Sequence, residues 1–192
     1  MRPDHHDFQS DGKLEELVLF IAARSEGDLN FGSTKLNKLL FFADFAAYAK
    51  LGQSITGAMY QKLKNGPAPR RIVPVIKTLV QRRDLAIQER DRFVKTQKVP
   101  IALREARLDD FSAKEIAIVA DTIAAYARNN ARGISSKSHE FAGWKLAEIG
   151  EDIPYEVSLV EFQKIKKDDI AKAMSMRVEL AALRDKARNG AH

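Results

Sequence analysis

The spacing of apolar residues predicts a chain built mostly from helices. Leu14, Leu17, Val18 and Ile21 recur at three- and four-residue intervals, which predicts a helix over 11–24 closed by Gly27. A second helix runs from Ser33, read as its N-cap, to Leu51, with Gly52 as the stop. Leu36, Leu39, Leu40, Ala43, Ala46 and Ala47 form one face of it. Phe41, Phe42, Phe45 and Tyr48 carry the apolar surface most of the way round, the pattern of a helix at the centre of a fold. Between Gln53 and Lys64 the period shortens to two, with Ala58, Tyr60 and Lys62 alternating against Met59 and Gln61, and an extended segment is expected. Asn65-Gly66-Pro67 then predicts a tight turn, since Gly66 is free to take a positive φ and Pro67 fixes the next residue. A helix follows from Pro69 or Arg70, with Ile72, Ile76, Leu79 and Val80 inward. Pro74 conflicts with it, so the helix starts or kinks there.

Leu85 to Glu89 and Phe93 to Thr96 flank Arg90-Asp91-Arg92 and read as a charged hairpin, so that a helix and a basic hairpin follow each other as in a winged helix. Ser112 with Glu115 is a capping box opening a helix to about Asn129 on Ile116, Val119, Ala120, Ile123 and Ala127. Gly133 interrupts, and Ser135 or Ser136 caps a shorter helix bearing His139, Phe141, Trp144, Leu146 and Ile149. Residues 154–159 read as extended, and a last helix spans 166–189 on Ile170, Met174, Val178 and Ala181. The class is mainly α: a compact helical domain with a short β-hairpin or small β elements and a C-terminal helix. The expected division is a polar segment over 1–10, a helical domain over 11–160 and a C-terminal helical extension over 161–192.

Composition narrows the class further. The 192 residues are 45% apolar and 30% charged and include no cysteine, which allows a proper core and excludes a disulfide scaffold. The longest apolar run, Leu17 to Ala23, has seven residues, whereas a membrane-spanning helix needs about twenty, so no membrane partner is expected. The first seven residues are acidic and His-rich, unlike a secretory signal, and with the absence of cysteine they predict a cytoplasmic location. The net charge of +6 arises entirely within residues 1–100, and Lys62 to Lys98 alone holds 11 basic residues against three acidic ones. That stretch favours an acidic partner, either nucleic acid or an acidic protein face.

Chemical motifs point away from catalysis. There is no thiol nucleophile, no nucleophile elbow around Ser54, no Walker loop and no dinucleotide fingerprint. His139-Glu140 lacks the second histidine of a zinc-protease helix, because that position is Gly143, and no cofactor or metal is expected. His139 has two readings, a core-edge histidine bonded to a backbone carbonyl or a polar contact at a binding surface. Trp144, the single tryptophan, is open between core and interface. For nucleic acid the case rests on Arg70, Arg71, Lys77, Arg82, Arg83, Arg90 and Arg92. Phe93 is the lone aromatic in that stretch, which gives no platform for stacking bases.

Three blocks carry a resemblance. Lys35-Leu36-Asn37-Lys38-Leu39-Leu40-Phe41-Phe42-Ala43-Asp44 resembles the KLQKLLYFA helix of the Panacea-domain, or SocA-like antitoxin, family, with Asn37 at the usual Gln. Tyr60 to Pro67 is similar to that family's aromatic-to-Gly-Pro turn, and Ser136 to Trp144, with Ser138 and His139, to its SH-to-Trp block. The resemblance spans about Lys13 to Leu159 and implies a non-enzymatic antitoxin that neutralises a co-encoded toxin by direct binding, by occlusion or by delivery to an ATP-dependent protease. The positions it marks are Lys35, Lys38, Tyr60, Gly66, Pro67, Ser138, His139 and Trp144, expected to be largely architectural. The expected contact surface is Arg70, Arg71 and Lys77 with the hairpin's Arg90 and Arg92. The alternative is a winged-helix-like DNA-binding regulator.

Overall fold

A computed structural model describes residues 9–92, 95–161 and 175–176. Helix α1 (Gln9–Arg24) buries Leu14, Leu17, Val18 and Ile21, the stripe that its periodicity marks. Helix α2 (Ser33–Leu51) is the hub: it packs against α1 and against half of the elements introduced below. Ser33 is its first helical residue rather than its cap. The cap is Gly32, which gives no side-chain bond, and the Ser33 hydroxyl donates to the Lys98 carbonyl at 3.1 Å. Gly52 closes α2 in the left-handed region at φ 77°.

The extended segment after α2 narrows to strand β1 (Tyr60–Gln61), flanked by β2 (Ala68–Pro69) and β5 (Asp152–Ile153) in a three-stranded antiparallel sheet of order β2-β1-β5. Tyr60 faces Pro69 on one side and Ile153 on the other. Helix α3 (Ile72–Gln81) begins two residues later than predicted, and this resolves the conflict at Pro74. In the first turn a proline removes no intrahelical hydrogen bond. Its inner residues are Ile72, Val75 and Leu79, whereas Val80, predicted inward, is 41% exposed.

Strands β3 (Leu85–Arg92) and β4 (Lys95–Ala102) form a hairpin in register from Leu85 with Ala102 to Arg92 with Lys95. Arg90-Asp91-Arg92 therefore lies within a strand instead of making the turn, and Phe93 lies outside the described residues. Helix α4 (Ala113–Tyr126) has the predicted capping box, but turns Ile118, Val119 and Thr122 inward with Glu115. Ala120, predicted inward, is exposed.

Two further corrections concern the C-terminal part. Helix α5 (Ala131–Glu140) is capped by Asn130, whose side chain accepts from the Gly133 amide, so Gly133 sits in the first turn and no serine caps it. The predicted single helix through Trp144 breaks at Phe141 (φ −62°, ψ 130°) and resumes as α6 (Ala142–Leu146). The segment read as extended over 154–159 is not a strand: β5 ends just before it, and helix α7 (Val157–Glu161) starts within it and runs past its end. The helix expected over 166–189 lies outside the described residues, apart from Ser175 and Met176, which are helical. The architecture is thus mainly α with two small sheets rather than all helical.

The core joins α1 and α2 to an aromatic cluster at the centre. Phe41 meets Phe141 edge-on at 5.0 Å, and Phe45 meets Tyr60 edge-on at 5.5 Å. Such edge-to-face pairs stabilise beyond their buried area. Among the described residues no helix is long and apolar enough to cross a membrane.

Candidate functional site

Charged residues in the most buried helix mark the centre of the candidate site. Lys35 and Lys38 lie three residues apart on α2 and are 1% and 2% exposed. A buried ammonium requires fixed acceptors. The Lys35 ammonium donates to the Asp28 carboxylate at 2.5 Å and to the carbonyls of Asn129 at 2.7 Å and Ala127 at 3.0 Å. It fastens the start of α2 to the end of α4, where carbonyls lack helical partners. Lys38 donates to the Pro67 carbonyl at 2.8 Å, and desolvation lowers its pKa to about 8.

This bond holds the Asn65-Gly66-Pro67 turn flat against α2. Gly66 has φ 96°, and a β-carbon there would stand 2.5 Å from the Ser138 hydroxyl and 2.6 Å from Cε of Lys38. The turn needs glycine both for its conformation and for its close approach. Ser138 is fully buried and donates to the Ser135 carbonyl at 2.7 Å. One position further on, the His139 ring stacks on Trp144 with centroids 3.9 Å apart and planes 12° apart. The break at Phe141 makes this possible, because it folds α6 back towards α5. Trp144 in turn donates from its indole to the Leu63 carbonyl at 3.3 Å, and the Lys62 ammonium lies 4.1 Å from its ring centroid. Lys62 also donates to the Ala147 carbonyl at 3.0 Å.

The His139 Nε2 is buried without a hydrogen-bond partner among the described residues, and the ring is stacked on Trp144. Desolvation, with the charges of Lys38 and Lys62, holds its pKa below the ordinary histidine value. The site thus gathers Lys38, Gly66, Pro67, Ser138, His139 and Trp144 from three segments.

Tyr60 belongs to a neighbouring hub. Its hydroxyl donates to the Asp44 carboxylate at 2.7 Å, which also accepts from Thr56 Oγ1 at 2.5 Å and from the amides of Ile55 at 2.9 Å and Thr56 at 2.8 Å. Burial pushes the Asp44 carboxyl up, and these four donors act against that. Asp44 and Lys62 are the residues that sequence reasoning missed as site members. A lone aspartate inside the apolar run from Leu39 to Ala47 is the signal for the first.

The five surface residues do not form one cluster. Arg71 binds Asp11 through two nitrogens, the nearer at 2.6 Å. Arg82 binds Glu15, and Arg70 binds Asp152 together with the Gly150 carbonyl at 2.6 Å. Lys77 is exposed on the outer side of α3. Arg90, on β3, lines a cleft of about 500 Å³ with Ala22, Ala23, Ser25 and Glu26 at the far end of α1. Arg71 thus meets the start of α1 and Arg90 lies near its end, roughly 20 Å further along at 1.5 Å per residue. Arg92 ends β3 opposite Lys95.

Lys38 and Ser138, the residues chemically suited to activation, are closed to solute at 2% and 0% exposure. Among the described residues no group of three His, Asp or Glu side chains is placed to hold a metal ion. Arrangement and burial make this a seam closed between α2, the Gly66-Pro67 turn and the α5–α6 break. Known proteins agree with the motif blocks: the family described as Antitoxin SocA-like, Panacea domain, matches residues 36–145. No curated protein and no solved structure matches the chain. That span exceeds half of the chain and takes in the seam from Lys38 through Trp144, so the protein belongs to the SocA-like antitoxin family of Panacea domains.

Proposed function

We propose that this protein is an antitoxin that neutralises a co-encoded toxin by direct protein–protein binding. The observation that carries the reading is the family match across the seam, 36–145. The burial of Lys38 and Ser138 supports a binding module over a catalyst, because reactive groups that solute cannot reach do not turn over a substrate. The helical domain over 11–160 is the binding unit, with 161–192 as an extension of it, and the protein works in the cytoplasm without cofactor or metal.

Arg70, Arg71 and Lys77 contribute to the contact surface, and Arg90 and Arg92 extend it to the hairpin. Because Arg71 is paired with Asp11, simple charge reversal would place two carboxylates together. The exchange Arg71→Asp with Asp11→Arg keeps the pair and moves the charge. The test is co-expression with the product of the adjacent gene. An antitoxin restores growth, co-purifies with the toxic product, and loses both properties when the charges of the surface are relocated. A neighbour that is harmless, or toxic but unbound, removes the reading. Toxin that stays abundant in rescued cells indicates occlusion, and toxin that disappears in them indicates delivery to an ATP-dependent protease.

A further inference from the structure

Helix α3 carries an outer apolar stripe that stays open to solvent among the described residues. Val73 and Val80 are 74% and 41% exposed, and Lys77 stands exposed between them. These residues stand at positions i, i+4 and i+7, so they share one face over roughly 10 Å. Valine is a poor choice for an exposed helix surface, where its branched side chain loses rotamer freedom for no gain in burial. Directly beyond the stripe, Arg83 holds the left-handed conformation at φ 59°, a position that favours glycine or asparagine. That conformation closes α3, where the Arg83 amide donates to the Val80 carbonyl at 3.1 Å and the Asp84 amide to the Leu79 carbonyl at 2.9 Å, and it sets the Arg83 side chain at the end of the stripe.

The surrounding charges decide what such a face fits. Arg70, Arg71 and Arg82, the cations that would grip phosphates, are each bound to Asp152, Asp11 or Glu15. Lys77 and Arg83 form no ion pair among the described residues, so the stripe presents two valines beside two open cations. Nucleic acid offers little to exposed valines, whereas an acidic protein face with apolar side chains at its centre complements both features. We infer that the Val73-Lys77-Val80 face, ended by Arg83, is the surface that docks an acidic, apolar-centred face of the toxin. This rests on the antitoxin reading above and names the site of contact within it.

The test uses the full chain and the toxin identified by co-expression, with affinity measured by calorimetry and the fold followed by thermal melting. V73A/V80A is expected to weaken binding about thirtyfold and K77E about tenfold, while R83G loses several-fold, the sizes typical of anchor and rim residues. V73A/V80A and R83G are expected to melt at the same temperature or higher, because alanine favours the helix and glycine relieves the strained backbone. Binding that falls while stability holds or rises marks a contact surface. Toxin affinity within twofold of wild type in all three variants overturns the stripe and leaves the antitoxin reading standing. A drop in melting temperature for V73A/V80A also overturns it, because the valines are then packed by the chain itself. Retardation of a duplex DNA at low salt, weakened by K77E and untouched by V73A/V80A, transfers the face to nucleic acid. If no neighbouring product binds the wild type, the antitoxin reading fails and the stripe falls with it.

Discussion

Lys35, Lys38 and Asp44 on α2 are buried: the lysines end on backbone carbonyls, Lys35 on the Asp28 carboxylate as well, and Asp44 on a closed set of donors. Asp11, Glu15 and Glu16 on α1 instead meet arginines at or near the surface. Both regions hold charges in fixed geometry, yet the penalty for disturbing them differs. A buried group whose partners are removed leaves desolvated donors behind, whereas a surface pair returns to water. The family match takes in Lys38 and Asp44 of the first region, opening one residue after Lys35, and begins beyond the second, which lies on α1. The interior seam fixes which segments meet. The outer pairs fix how α3 is presented.

Substitutions that separate these two behaviours run from large to small. Asp44→Ala strands the Tyr60 and Thr56 hydroxyls and two amides, and is expected to cost about 4 kcal/mol in denaturant unfolding, enough to threaten the fold. Gly66→Ala, with its β-carbon against Ser138 and Lys38 at positive φ, should cost about 3 kcal/mol. A loss under about 1 kcal/mol would mean that the turn can move away from α2.

Glu16 sits between the two classes. It is 7% exposed, and its carboxylate accepts from Arg104 at 2.7 and 2.8 Å and from the Arg107 amide at 2.8 Å. Desolvation works to raise its pKa, but these bonds win and lower it from 4.5 to about 2. A carboxylate depressed on folding adds stability above its unfolded pKa, and loses that contribution as pH falls from about 4.5 through 2. Glu16→Gln should therefore cost about 2 kcal/mol at pH 7, a value reduced for the exposure of its arginine partners, and should flatten the acid limb of the stability curve. An acid limb identical to wild type would show the group to be unlinked to folding. Arg71→Ala completes the series at about 0.5 kcal/mol, as expected for an open pair, and sensitivity to salt should accompany it.

Much of the helical frame was legible in the sequence, because α1, α2 and the capping box of α4 depend on neighbours within four residues. The Asn65-Gly66-Pro67 turn was legible for the same reason. What escaped depends on distant partners. Lys35 and Lys38 look like ordinary surface lysines until the Ala127, Asn129 and Pro67 carbonyls are brought to them. The break at Phe141 is invisible to periodicity, since α5 and α6 continue one helical pattern on either side of it. The division of the arginines between two ends of α1 likewise follows from packing, to which a run of basic residues is blind.

The bonds of the seam also carry an order in time. Asp44 reaches Thr56 and Tyr60 across 12 and 16 residues, Lys38 reaches Pro67 across 29, Trp144 reaches Leu63 across 81, and Lys35 reaches Asn129 across 94. Short closures sacrifice less chain freedom than long ones, and synthesis delivers them first. The Asp44 hub can close on a ribosome-bound chain once Tyr60 has emerged, while Lys35 must wait for the end of α4, so the same helix takes part in steps of assembly far apart in time.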